Sequence, residues 1–149
     1  MVVEKILLAD PRGFCAGVER AIKVVEDALA IFGKPVYVKH QIVHNKYVVA
    51  ALEAKGAVTI EELHEVPDHG VVVFSAHGSP PEHFELAKQK HLRVIDATCP
   101  LVTKVHLEVH RYAREGYQII YIGHIGHVEG IGNLGELPGD NKRQCKFTK

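Results

Sequence analysis

The chain has 149 residues, of which 46% are hydrophobic, 24% charged and 7% aromatic. This composition is typical of a globular protein and excludes disordered, collagen-like and low-complexity classes. The 18 basic and 18 acidic residues cancel, which disfavours binding to nucleic acid or to an anionic membrane through bulk charge. The amino-terminal stretch lacks the features of a secretory signal, and no apolar run approaches the ~18 residues of a membrane span. We therefore expect a cytoplasmic protein.

Short apolar strands alternate with helical patterns along most of the chain. The predicted strands are Val2–Ala9, Val36–Val38, Val58–Ile60, Gly70–Ser75, Arg93–Asp96 and Gln118–Ile122. Helical spacing predicts a helix that Gly33 and Pro35 end, a helix capped by Asn45 that runs to about Lys55, a helix over Pro81–Lys90, and a helix from Pro100 to about Glu115 with an apolar face of Val102, Val105, Val109 and Tyr112. This alternation with short connections predicts an α/β fold, a parallel sheet covered by helices.

The end of the chain breaks the pattern. Residues after Leu134 show no apolar periodicity and combine Gly, Pro and Asn with mixed charge. If 118–122 is a parallel strand, a helix and a strand should follow it, and the sequence predicts neither. We therefore divide the chain into a first α/β unit with an initial strand at 1–99, the start of a second, truncated unit at 100–137, and an unpatterned tail at 138–149.

A cysteine or a histidine follows the carboxyl end of each strong strand. These residues are Cys15, His40, His44, His77, Cys99, His124 and His127. In an open parallel sheet, ligands bind outside the carboxyl ends of the strands. The shared placement therefore favours a common site over scattered core residues.

Cys15 and Cys99 each precede a predicted helix. A helix N-terminus stabilises a thiolate by roughly 0.3–1 kcal/mol, and the thiolate is the form that binds metal. An odd total of three cysteines disfavours a disulfide framework and indicates a reducing compartment. From the residues alone, a metal site and two inert buried thiols are about equally favoured. The spacing of the two cysteines does not indicate which metal would bind. Cys145 lies in the unpatterned tail, where an incidental thiol is the favoured interpretation.

Three histidines, His44, His77 and His127, lie in separate strand-end loops. Imidazoles donate hydrogen bonds to phosphate oxygens or bind metal, and neighbouring glycines let backbone amides approach an anion. Their placement predicts a shared anionic pocket, to which Glu129 adds a carboxylate that can handle protons. The remaining histidines are predicted to be solvated and without a role: His64, His69, His83, His91, His106 and His110.

Five segments of the sequence resemble the 4-hydroxy-3-methylbut-2-enyl diphosphate reductase family. They are PRGFCAGVERAI, VHNKYVV, FSAHGSP, DATCPLVTKVH and IGHIGHVE, and the resemblance runs from about Ile6 to Gly135. It implies an oxidoreductase of the non-mevalonate isoprenoid pathway, which makes isopentenyl and dimethylallyl diphosphate from the family's allylic diphosphate substrate. It also implies a [4Fe–4S] cluster on three cysteines, with one iron open to the substrate hydroxyl, and ferredoxin or flavodoxin as electron donor.

By this resemblance Cys15 and Cys99 are two cluster ligands and Glu129 is the proton-relay carboxylate, while the diphosphate and substrate contacts are His44, His77 and His127. Family members are much longer, and their third cysteine ligand, a later Thr and a Ser/Asn/Ser set have no counterpart here. The family's His-Pro-Glu motif reads His-Val-Glu at 127–129. We therefore expect an amino-terminal half that is inactive on its own.

Two other interpretations stay open. The chain could be a non-enzymatic fragment or one half of a split protein. It could also be a zinc or iron hydrolase that uses the cysteines and histidines, which is less favoured because neither Cys15 nor Cys99 has a local metal-ligand partner.

Overall fold

The computed structural model describes residues 4–137 and the backbone of 146–148. The helices are α1 (Ala16–Phe32), α2 (Lys46–Lys55), α3 (Pro81–Gln89), α4 (Pro100–Arg114) and α5 (Val128–Gly135), with a 3-10 turn at Leu63–Glu65. The strands are β1 (Val36–Lys39), β2 (Ala57–Ile60), β3 (Val71–Phe74), β4 (Arg93–Asp96), β5 (Ile120–Ile122) and β6 (Lys146–Thr148). Among the described residues, no helix is both long enough and apolar enough to cross a membrane.

Four parallel strands form the main sheet in the order β2–β1–β3–β4, which confirms the predicted α/β class. In register, Tyr37 of β1 lies opposite Val58 of β2 and Val72 of β3, and Val72 lies opposite Val94 of β4. The chain moves outward from β1 to β2 on one side and from β3 to β4 on the other. Strands β1 and β3 therefore flank the point where the strand order reverses, which is where open α/β sheets bind ligands.

Both faces of the sheet are covered. Helices α1 and α2 pack over Val36, Val38 and Val73 on one face, and the 3-10 turn and α3 pack over Val72 and Phe74 on the other. These five side chains are at most 3% exposed. Burying each contributes about 1.5–3 kcal/mol, so strands buried on both faces are apolar throughout rather than alternating.

The predicted ends of α2 are confirmed and have local causes. The Asn45 side chain accepts hydrogen bonds from the amides of Tyr47 and Val48 at 3.0 and 3.2 Å. Gly56 ends the helix with a φ of 110°, a left-handed conformation that favours glycine. These short-range signals are readable in the sequence.

The initial strand predicted at Val2–Ala9 is wrong for the residues that the structure describes there. Residues 4–9 form no strand, and the side chains of Ile6, Leu7 and Leu8 are 77%, 79% and 72% exposed. An apolar run becomes a strand only when neighbouring backbone pairs with it. No described segment does so here, and 1–3 lie outside the described residues.

A second, two-stranded sheet follows the first. Strands β5 and β6 pair in parallel, with α5 between them. The prediction that neither a helix nor a strand follows β5 is therefore wrong, as is an unpatterned tail over 146–148. Helix α5 contains three glycines, each of which lowers helix stability by about 1 kcal/mol relative to alanine. Tertiary contacts therefore compensate for the low helix propensity of this segment. Residues 138–145 and 149, with Cys145, lie outside the described residues.

Helix α4 buries only part of the predicted apolar face, of which Val102 and Val109 are half-buried. Val105 and Tyr112 of the predicted apolar face are 44% and 39% exposed. His106 and Ala113 are the buried residues of the helix. A histidine takes the inward position because an acidic partner from α5 meets it there.

Candidate functional site

Three histidines from separate loops meet where the strand order reverses. His44 follows β1, His77 follows β3, and His127 is the N-cap of α5. The rings of His44 and His77 stack with centroids 4.1 Å apart. Nε2 of His44 lies 3.2 Å from Nε2 of His127. The structure therefore brings together the histidines that the sequence predicts for one pocket.

The backbone of α5 orients His127. The amide of Glu129 donates a hydrogen bond to Nδ1 of His127 at 3.4 Å. With Nδ1 as the acceptor, a neutral His127 carries its proton on Nε2. This N–H donates a hydrogen bond to Nε2 of His44. The half-buried Glu129 lies in the first turn of α5, so its carboxylate belongs to the same end of the helix as the His127 ring.

His77 is poorly solvated. Its Nε2 is buried and has no hydrogen-bond partner among the described residues. Burial, with smaller contributions from the neighbouring His44 and His127, lowers the pKa of His77 from 6.5 to about 4. A buried polar atom without a partner is costly, so Nε2 of His77 is a ready hydrogen-bonding group for a ligand. An anion there would raise the pKa again.

The two thiols meet at the start of two helices. Cys15 and Cys99 are the N-caps of α1 and α4, and both are free. A β-carbon on Gly17 would lie 2.8 Å from Sγ of Cys99 and 3.8 Å from Sγ of Cys15. Only glycine leaves room for both sulfurs here. The N-terminal ends of both helix dipoles stabilise negative charge at this place.

Backbone hydrogen bonds beyond the strand ends hold the site loops in register. The amide of Ala76 donates to the carbonyl of Ile42 at 3.2 Å, and the amide of Cys99 donates to the carbonyl of Ala76 at 3.0 Å. Because Ala76 directly precedes His77, these bonds tie the loop after β1, the His77 loop and Cys99 together. The cysteine and histidine groups are thus parts of one sheet edge.

Sequence reasoning missed two residues around the site. The Arg20 guanidinium on α1 donates to the carbonyl of Thr98 at 3.0 Å, which links the Cys15 helix to the residue before Cys99. Burial, with a smaller contribution from the Glu129 carboxylate, raises the pKa of Tyr121. A tyrosine within an otherwise aliphatic strand is the signal that could have indicated Tyr121, whereas no local pattern indicates Arg20.

The two thiols suit part of an iron–sulfur site. Thiolates are the usual protein ligands of such clusters, and the space beside Gly17 gives two of them a common cradle. No group of three or more His, Cys, Asp or Glu side chains within 4–137 is arranged to hold a metal ion by itself. Cys15 and Cys99, the two thiols that the family resemblance assigns to the cluster, are both free and lie beside Gly17.

The histidines that were predicted to be solvated fall into two groups. His64, His69 and His91 are exposed, and the last two stack with ring centroids 5.4 Å apart at the amino ends of β3 and β4. The prediction is wrong for His83, which is half-buried against Phe74, and for His106 and half-buried His110, which contact Glu136. Hydropathy does not reveal partners that lie far away in the sequence.

Comparison with known proteins identifies the family of the chain. A family model described as LytB protein matches residues 6–145, which extends beyond the limit at Gly135 predicted above. The 4-hydroxy-3-methylbut-2-enyl diphosphate reductase of Acidothermus cellulolyticus is 59% identical over 134 residues, which cover 90% of this chain and 39% of that protein. The enzyme of the same name from Aeromonas hydrophila is 60% identical over 131 residues, covering 88% and 42%.

Solved structures give the same result. The E-1-hydroxy-2-methyl-but-2-enyl-4-diphosphate reductase from Plasmodium falciparum matches with a TM-score of 0.86 and 50% identity, over 94% of this chain and 43% of that chain. A structure of (E)-4-hydroxy-3-methyl-but-2-enyl diphosphate reductase, described as the terminal enzyme of the non-mevalonate pathway, matches with a TM-score of 0.80 and 38% identity, over 97% and 50%. The chain thus spans half or less of the length of these relatives.

Proposed function

The chain belongs to the LytB protein family, and on that premise we propose that it carries part of the active site of a 4-hydroxy-3-methylbut-2-enyl diphosphate reductase. The reaction is the reductive removal of an allylic hydroxyl, which leaves as water and gives isopentenyl and dimethylallyl diphosphate. The observation that carries the proposal is the meeting of three histidines at the sheet edge that also holds two free thiols. Because the relatives are more than twice as long, we propose that this chain alone does not turn over substrate.

The histidines are proposed to bind the diphosphate. Nε2 of His77 is buried and unpartnered among the described residues, and His44 and His127 bring two further imidazoles to the same place. Imidazolium–phosphate hydrogen bonds are charge-assisted and contribute about 1.5–3 kcal/mol each. Since the pKa of His77 is low without ligand, anion binding should take up a proton. Binding energy from the diphosphate would orient the distant hydroxyl for reaction.

Glu129 is proposed to supply protons to the departing hydroxyl. It is half-buried in the first turn of α5, and its own amide holds the His127 ring. A carboxyl group beside the anion-binding histidines can deliver the proton that turns the hydroxyl into water. The neighbouring Tyr121, whose pKa the Glu129 carboxylate helps to raise, keeps its proton at neutral pH.

Cys15 and Cys99 are proposed to hold a [4Fe–4S] cluster. When bound, the cluster supplies the electrons and a Lewis-acidic iron for the substrate oxygen. The contribution of the chain itself is the cradle at Gly17 and the two helix N-termini that stabilise thiolates. We also propose a ferredoxin or flavodoxin as the electron donor and a cytoplasmic location, which family membership supports.

Calorimetry with inorganic pyrophosphate tests the anion site. We expect His77→Asn to weaken binding by about tenfold or more, the loss of one charge-assisted hydrogen bond. His69→Asn removes an exposed histidine at the other end of the strands and serves as the matched control. Equal affinities for His77→Asn and the unsubstituted chain would contradict the assignment of this site.

Anaerobic incubation with iron and sulfide tests the thiols. A brown chromophore should form and should disappear in Cys15→Ser and in Cys99→Ser, while Cys145→Ser should keep it. A colourless protein that binds zinc through the same residues would favour the hydrolase alternative. With a reduced viologen dye we expect no turnover by this chain, and a rate near that of full-length relatives would overturn the proposed inactivity.

A further inference from the structure

His106 occupies the buried stripe of α4 with 9% of its surface exposed. Its Nε2 is buried and has no hydrogen-bond partner within the described part of the chain. Leaving such an atom unpaired is costly. An aliphatic residue would fill the same position without that cost, so the role of this histidine lies in its specific contacts.

One side of the His106 ring lies against the loop that carries His77. A β-carbon on Gly78 would lie 2.7 Å from Cε1 and 3.0 Å from Nε2 of His106. Gly78 also has a φ of +82°, a conformation that favours glycine. The imidazole therefore fills the space that a side chain at this position would need, and it supports the residue next to His77.

The other side of the ring is held from α5. Nδ1 of His106 lies 3.1 Å from Oε1 of Glu136, and the two side chains are only 11% and 12% exposed. Glu136 is the C-cap of α5, and its Oε2 lies 2.5 Å from Nε2 of His110, the next turn of α4. One carboxylate shared by two imidazoles thus joins the end of α5 to α4.

Two glycines bring α5 against the same loop. A β-carbon on Gly132 would lie 3.4 Å from the carbonyl oxygen of Gly78 and 3.5 Å from Nε2 of His106. A β-carbon on Gly135 would lie only 2.2 Å from Cβ of Pro80. Since His127 is the N-cap of α5, these contacts determine where that ring lies relative to His77.

We infer that His106, held by Glu136, is a positioning residue that fixes His77 and His127 relative to each other. The His106 ring contacts Gly78, the residue after His77. Its carboxylate partner, Glu136, is the C-cap of α5, and His127 is the N-cap of the same helix. His106 itself lies on α4, whose N-cap is Cys99. The inference rests on the proposed function for the identity of the anion, whereas the geometry that His106 sets does not depend on any ligand.

The test is NMR of the full chain with carbon-13 in its histidine rings, followed by titration with inorganic pyrophosphate. We expect His106→Ala and Glu136→Ala to shift the ring signals of His77 and His127, because the stacked and bonded cluster loses its alignment. Pyrophosphate binding should weaken about tenfold through lost preorganisation. The exposed His69–His91 pair gives signals that should not move.

Conservative variants separate positioning from bulk stability. Glu136→Gln keeps an oxygen that can accept a hydrogen bond from Nδ1 of His106. Unlike Glu136→Ala, it should therefore leave the ring signals of His77 and His127 at their positions in the unsubstituted chain. Its pyrophosphate affinity should be within about twofold of that of the unsubstituted chain. His110→Ala removes the second imidazole that contacts Glu136 and leaves the contact of His106 with the His77 loop in place. Its ring signals should also be unchanged, and its pyrophosphate affinity should stay within about twofold of that of the unsubstituted chain. Circular dichroism verifies that each variant is folded.

Unchanged His77 and His127 signals in folded His106→Ala or folded Glu136→Ala would overturn the inference. If His106→Ala unfolds, Glu136→Ala decides, because Glu136 is the C-cap of α5 and lies outside the helix body. Failure of Glu136→Gln to restore the signals would also count against the inference. If the unsubstituted chain does not bind pyrophosphate, the proposed anion site fails, while the ring signals still test the positioning role.

Discussion

The four-stranded sheet and the α4–β5–α5 region are held together by different contacts. In the sheet, Val72, Val73 and Phe74 of a single strand are all fully buried. In the second region, the side chains of β5 residues Ile120 and Ile122 are 62% and 77% exposed. There the junction depends on an imidazole–carboxylate pair and on close glycine contacts. Burial of apolar side chains thus stabilises the sheet. Polar contacts and close packing determine how α5 lies relative to it.

This difference divides the candidate site. His44 and His77 lie in loops of the sheet, whereas His127 and Glu129 lie on α5. A substitution in the sheet core should therefore remove the whole site through unfolding. A substitution at the α5 junction should change the geometry of the site while the sheet persists.

The largest effect is expected from Phe74→Ala. Phe74 is fully buried and packs edge-to-face on Phe84 with centroids 4.8 Å apart. Losing it should lower the free energy of unfolding by about 3–5 kcal/mol, measured by urea denaturation. Ile122→Ala, at an exposed position of β5, should change it by less than about 0.5 kcal/mol. Similar losses for both variants would remove the contrast between the two regions.

Next comes a pair of glycines on α5. Gly135→Ala places a β-carbon 2.2 Å from Cβ of Pro80, so the helix or the loop must move. Overpacking of this kind costs about 1–3 kcal/mol in the free energy of unfolding. Gly132→Ala meets only ordinary contacts at 3.4–3.5 Å and gains up to about 1 kcal/mol in helix propensity. Urea denaturation should rank Gly135→Ala clearly below Gly132→Ala, and the reverse order would contradict the described α5 contact.

A smaller change is expected at the thiols. Gly17→Ala puts a β-carbon 2.8 Å from Sγ of Cys99, which should push the two sulfurs apart. In a Cys145→Ser background, cross-linking of Cys15 to Cys99 by dibromobimane should slow by about fivefold, because the reaction needs both thiols in one near-attack geometry. Gly132→Ala in the same background is the control. An unchanged rate for Gly17→Ala would show that the cradle does not set the thiol separation.

The effect that is smallest at neutral pH is a pH dependence, because it develops only below about pH 6.5. The pKa of His77 is about 4 in the folded chain and 6.5 in its unperturbed state, so the unfolded chain binds this proton first as the pH falls. The stabilising contribution is complete above pH 6.5 and is lost as the pH falls toward 4. Urea denaturation across this range should show a shallower loss of stability for His77→Asn than for the unsubstituted chain. Parallel curves for the two proteins would exclude His77 as the titrating group.

Much of the sheet could be predicted from the sequence. Both bounds of β1, β2, β3 and β4 fall within one residue of their predicted positions. The central strands β1 and β3 are short, mainly apolar runs that are largely buried, whereas the edge strands β2 and β4 are partly exposed. The ends of α2 were readable because a cap acts within a few residues. The positions of the candidate site residues were also readable, since these residues lie after strands or at the starts of helices, whereas their roles stay predictions.

The sequence by itself thus determined which segments become strands, where helix caps lie, and which residues reach the carboxyl edge, since those properties depend on neighbours in the chain. Only the tertiary structure decided the strand order that places His44 beside His77. It also decided the formation of the glycine-rich α5, the burial of His106 against Glu136, and the exposure of the apolar residues at 6–8. These outcomes depend on partners distant in sequence, and hydropathy and helix propensity contain no information about which partner will be met.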